Sequence, residues 1–165
     1  VVALGPRRPY PNCPSGDLSA CAVDEAVKAV PGTMSVQVRS DRLEYLTNNA
    51  RRLFDPENTG YLDFMRFADY EWASVRLRVD PPPERFDFDD YLLYSDGPTE
   101  TDVERWAKDK PWYRQSAHEE FVKLGGSKGY LDRSDFDKVS RVAFPRIQRE
   151  NNGKVPITFI TFEHK

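Results

Sequence analysis

Gly60-Tyr61-Leu62-Asp63-Phe64-Met65-Arg66-Phe67 and Gly129-Tyr130-Leu131-Asp132-Arg133-Ser134-Asp135-Phe136 are two versions of one phrase, and their reading decides the fold. In both, a glycine permits a sharp turn, an apolar residue takes a short extended step, and Asp opens a helix. Repetition of such a phrase points to a chain built by duplication. The expected fold is therefore mainly α, with each phrase a hinge between two helices.

The flanking periodicity supports this expectation. Upstream of the first phrase, Leu43, Leu46, Ala50 and Leu53 share one stripe, which predicts a helix over 41–54 capped by Ser40. A loop follows over 55–62. A second helix is predicted over 63–77, burying Phe64, Phe67, Ala68 and Leu77. Pro81, Pro82 and Pro83 then impose an extended course. In the second half, Pro111 starts a helix to Leu124 with Ala117, Phe121 and Leu124 inward. The helix after Asp132 is predicted to bury Phe136, Val139 and Ala143, and to kink or end at Pro145.

The apolar spacing Leu62-x-Phe64-x-x-Phe67 recurs as Phe86-x-Phe88-x-x-Tyr91 and as Ile157-x-Phe159-x-x-Phe162. Two arrangements follow. In one, Leu62 pairs with Phe86 and Leu131 with Ile157 as short strands, a helix going out and an extended segment returning. In the other, the secondary matches are coincidental and two single hinges remain.

The two hinge loops resemble those of the EF-hand family. The resemblance covers 41–77 and 112–148, and more loosely 84–94 and 155–165. It implies a duplicated helix-loop-helix domain over 40–165, with short paired loop strands and repeats at about 40–94 and 111–165. The family loop takes calcium ligands at its first, third, fifth, seventh, ninth and twelfth positions, with Gly at the sixth. On residues 55–66 this assigns Asp55, Glu57, Thr59, the Tyr61 carbonyl and Asp63 as ligands around Gly60. The twelfth position departs: it is Arg66, which cannot ligate a cation and never loses its charge. The resemblance thus implies weak or lost calcium binding, with Arg66 free to pair with Asp55, Glu57 or Asp63. Without a metal, the same acids would cap the exit helix and bond the loop backbone. Residues 124–135 depart further, with Leu124, Gly126 and Lys128 at ligand positions. At most one calcium site is expected.

Residues 1–39 read as an extended N-terminal arm, with four prolines in the first twenty residues and a short helix over 22–30. Cys13 and Cys21, the chain's two cysteines, suggest a local disulfide and hence a secreted protein. The 165 residues suffice for one core. A net charge of −3 argues against a general nucleic-acid binder, and no apolar run is long enough to span a membrane.

Catalytic signals are weak. The two histidines, His118 and His164, stand apart, and no phosphate loop or nucleophile motif is present. Asp87, Asp89 and Asp90 read as a solvated helix-start face. Trp106, Trp112 and Tyr113, interleaved with Lys108 and Lys110, read as packing rather than as a surface patch. The expectation is a non-catalytic, secreted protein with a binding or scaffolding role toward an unidentified protein. The alternative is an extracellular carrier of a hydrophobic small molecule, held in a cavity between the two halves and favoured by the 13% aromatic content.

Overall fold

A computed structural model describes residues 10–160, and these fold as a mainly helical protein. The described elements, in chain order, are α1 (Leu18–Ala29), α2 (Val36–Asn48), α3 (Ala50–Phe54), β1 (Tyr61–Leu62), α4 (Phe64–Arg76), α5 (Phe88–Asp96), α6 (Asp102–Lys108), α7 (Pro111–Leu124), α8 (Arg133–Glu150) and β2 (Val155–Pro156). Residues 1–9 of the expected arm, and Phe162 and His164, lie outside the described residues.

The N-terminal region differs from the extended arm expected of it. Asp17 caps α1 by accepting from the Ala20 amide, so the helix starts four residues earlier than the apolar pattern suggested. Leu18, Ala22, Val23 and Ala26 face the core, where α1 packs against α2 and α4. Cys13 and Cys21 lie at disulfide distance, with Cα atoms 5.9 Å apart, and fasten the preceding turn to this helix. Ser35, not Ser40, caps α2 by accepting from the Val38 amide at 3.1 Å. Buried Arg42 then joins three segments: it donates to Val30 O (2.9 Å), Gly32 O (3.4 Å) and Asp80 Oδ1 (3.3 Å). Those carbonyls follow the end of α1, where backbone acceptors lack helical partners.

The central element is α4. Phe67, Ala68, Tyr70, Trp72, Ala73 and Val75 are buried around nearly its whole circumference, as expected for a helix with neighbours on all sides. It runs alongside α8, on which Phe136, Phe144 and Ile147 are buried. The predicted inward position of Val139 is not observed; it points outward at 56% exposure, because Phe144 and Ile147 set the buried stripe instead. Nor does Pro145 end α8, which continues to Glu150 with that proline on its exposed side.

Neither strand pairing of the first arrangement forms. Leu62 pairs with Val155 and Tyr61 with Pro156, antiparallel. Phe86 exchanges two hydrogen bonds of 2.8 Å with Leu131. The reason is the absence of an extended return. A helix of 13 residues advances about 20 Å, and Arg76 then holds the carbonyls of Pro82 and Pro83 close to the end of α4. Phe86 is thereby delivered to the far end, beside Leu131, and α8 carries the chain back to meet β1. Two aromatic-rich cores result. One surrounds Phe54, Phe67, Tyr70 and Phe144; the other surrounds Trp72, Phe86, Phe121 and Phe136. Among the described residues, no helix is long and apolar enough to cross a membrane.

Candidate functional site

The two hinges share their local geometry. Gly60 and Gly129 take φ of 84° and 98°, a region costly for residues with a Cβ. Leu62 and Leu131 are each buried and paired, and Asp63 and Asp132 each stand at the cap of the next helix. Between glycine and cap the backbone therefore reverses from a turn to a strand step to a helix within four residues.

In the first loop, the five residues assigned as ligands line one pocket, and each is already engaged by the protein. Asp55 is 4% exposed. It accepts from the Thr59 amide, the Thr59 hydroxyl and the Gly60 amide, each at 2.9 Å. The Thr59 hydroxyl is also 2.9 Å from the Tyr61 carbonyl, the oxygen assigned to the seventh position. Asp63 caps α4 by accepting from the Arg66 amide at 2.8 Å. Glu57 accepts from the Arg66 guanidinium at 2.7 Å and from the Tyr10 hydroxyl at 2.6 Å, while Arg66 also reaches Tyr10. Burial pushes the Glu57 carboxyl up, but the Tyr10 bond, a backbone bond and Arg66 together hold it below its ordinary value. Thus Arg66 takes the Glu57 option among its three possible acidic partners.

The second loop carries its own cation from a different position. Lys128 lies in a short 3₁₀ turn (Gly126–Lys128) and donates to Gly125 O at 2.9 Å and to Asp135 Oδ2 at 2.7 Å. Asp135 is 3% exposed and also accepts from the Asp132 amide (2.9 Å) and from Lys138 (3.3 Å). Burial again raises this carboxyl, and the bonds from Lys128, the Asp132 amide and Lys138 outweigh it, so the net shift is downward. A side chain on Gly125 would collide with Asp135, which accounts for glycine there. The sequence contained a signal for this pair: Lys128 immediately precedes the repeated phrase and Asp135 stands near its end. The bond became visible only once the 3₁₀ turn brought Lys128 back over the cap of α8.

Beside the first loop lies a concave pocket of about 690 Å³. Its floor includes Phe54, Leu62, Phe144 and Val155, and its rim includes Tyr61 and Lys154, whose ammonium sits 4.5 Å from the Tyr61 ring. Asp69 of α4 also lines it and pairs with Arg133 of α8 at 2.8 Å, a buried bond that ties the two long helices together. The carrier alternative expects a cavity between the two halves without naming its walls, and the sequence does not announce the bond between Asp69 and Arg133, since both join residues far apart in the chain. The Trp106 and Trp112 side chains, expected to be packed, are 62% and 68% exposed on α6 and α7, where α6 buries no residue. Lys110 lies 3.6 Å from the centre of the Trp106 ring. Asp87 caps α5 and forms a reciprocal pair of bonds with Asp90, in keeping with a helix-start role.

Among the described residues, no group of three or more His, Cys, Asp or Glu side chains is arranged to hold a metal ion. Comparisons with protein families, curated proteins and solved structures find no match for this chain.

Proposed function

We propose that this chain is a secreted, non-catalytic, EF-hand-like binding module whose hinges work without calcium. One observation carries the reading: each hinge contains an internal cation, Arg66 on Glu57 and Lys128 on Asp135, bonded to the acids that the family pattern would offer an ion. A bound Ca²⁺ would have to displace the bonds of Asp55 and overcome repulsion from a guanidinium that cannot deprotonate. The recurrence of glycine, paired leucine and capping aspartate supports a duplicated hinge. The cysteine pair at disulfide distance supports an oxidising compartment. Calcium titration by calorimetry is expected to find no site tighter than about 10⁻⁴ M, the range of weak extracellular modules. A micromolar site would overturn the reading.

The pocket favours a second reading, that of a carrier for an apolar small molecule. Its volume lies in the range of small-molecule sites, and an apolar floor of Phe54, Leu62, Phe144 and Val155 beneath a charged wall that includes Glu57, Arg66 and Lys154 suits an amphipathic guest. An organic extract of protein purified from its native source is then expected to contain a stoichiometric apolar compound by mass spectrometry. An extract with none would count against this reading and leave the first intact.

A further inference from the structure

The outward face of α8 carries a row of cations. Its buried side presents Phe136, Ser140, Phe144 and Ile147. The opposite side exposes Lys138, Arg141, Arg146 and Arg149, with Val139, Val142 and Pro145 between them. At 3.6 residues per turn these positions fall within one half of the helix surface, and Lys138 to Arg149 spans about 16 Å along the axis. Glu150, at the helix end, is the one exposed acid on this stretch; Asp135 and Asp137 face inward. The side chains of Arg141, Arg146 and Arg149 form no hydrogen bond or ion pair among the described residues. Lys138 reaches Asp135 at 3.3 Å while remaining 61% exposed.

This row of cations belongs to a chain whose net charge is −3, so its field is local rather than a property of the whole surface. Three of the four groups are guanidiniums, whose planar forks suit paired bonds to tetrahedral oxyanions. Their line along one axis matches a linear polyanion. The face carries no aromatic side chain on which bases could stack. Two valines and a proline offer too little apolar area to enter a bilayer. We propose that this face of α8 is a docking site for a linear sulfated polysaccharide, whose sulfates are held by Lys138, Arg141, Arg146 and Arg149. The inference stands apart from the hinge loops and does not depend on whether they bind calcium.

The test uses the full chain and a fluorescein-labelled heparin oligosaccharide, read by anisotropy over a series of salt concentrations. Saturable, salt-sensitive binding is expected, and desulfated heparin should fail to compete. The triple variant R141Q/R146Q/R149Q is expected to weaken binding at least ~10-fold and to lower the log–log salt slope by about 2, for three contacts at roughly 0.7 each. The variant R141K/R146K/R149K keeps the charge, and its affinity should fall between those of the wild type and the glutamine triple. Removing the same number of charges from α7 and its N-cap, as K110Q/R114Q/K123Q, should leave the affinity nearly unchanged. All substituted groups are solvent-accessible, and matching circular dichroism spectra confirm that the fold is kept. Equal weakening by the α7 and α8 triples would overturn the proposal. So would equal competition by desulfated heparin, or binding to duplex DNA or phosphatidylserine vesicles in preference to heparin.

Discussion

The hinge over 55–66 and the hinge over 124–135 reach the same backbone shape with their buried acid and their cation at different loop positions. In the first, the buried acid is Asp55 at the start of the loop, and the cation, Arg66, comes from the far end within α4. In the second, the start of the loop is the apolar Leu124, the buried acid is Asp135 within α8, and the cation, Lys128, comes from the middle of the loop. Asp55 orders the turn by binding backbone amides, whereas Asp135 orders it by binding side-chain ammonium groups and the amide of its own helix cap. A hinge of this shape therefore requires a buried carboxylate with enough donors around it, and does not require that carboxylate to stand at a fixed loop position.

The difference predicts unequal sensitivity to loss of the acid. Asp55→Ala removes the acceptor of two backbone amides, Thr59 and Gly60, and of the Thr59 hydroxyl, and empties a buried position, so it is expected to cost about 3 kcal/mol. Asp135→Asn keeps an acceptor for the Asp132 amide and lets the more exposed Lys128 and Lys138 return to water, so about 2 kcal/mol is expected. Urea unfolding of both variants measures the gap, and an equal or reversed order would break the comparison. The pH dependence tests the second loop directly. The folded Asp135 carboxyl lies below its ordinary value, so its stabilising effect is complete above about pH 4, the unfolded value, and is lost as pH falls through the depressed one. Wild-type Tm should consequently fall more steeply than that of Asp135→Asn below about pH 4.

Local chemistry was legible in the sequence to the extent that it was local. The glycine turns, the capping role of Asp63 and the helices that follow both phrases needed only neighbours within a few residues. The disulfide partners were also close in sequence. What escaped was long-range. Nothing in residues 77–86 announces that Arg76 will fold the proline segment onto the end of α4, yet that contact moves Phe86 from Leu62 to Leu131 and reverses both strand pairings. Val139 fits an inward stripe by spacing alone. It lost that place because α4 and β2 lie on the Phe144 side. The walls of the pocket eluded the reading for the same reason, since they come from loop, α4, α8 and β2 together.

The finest distinction between the hinges lies in what a single carboxylate could restore. Arg66→Glu removes a mostly buried guanidinium from half-exposed Glu57 and sets a second carboxylate beside it, so at least roughly 1 kcal/mol of stability is expected to be lost without calcium. The same substitution places an acid at the twelfth position of a loop that already holds Asp55, Glu57, Thr59, the Tyr61 carbonyl and Asp63. Calcium should then raise the Tm of the variant in a concentration-dependent way, as mass action requires of any ligand that binds only the folded chain. Lys128→Asp makes the matching change of charge in the second hinge, but Leu124 and Gly126 still supply no oxygen side chain, and calcium should leave its Tm unmoved. A response in both variants would mean that net charge alone governs the loops. A response in neither would mean that the bonds of Asp55 to the turn are too strong for an ion to replace, and that Arg66 occupies a loop already committed to a metal-free shape.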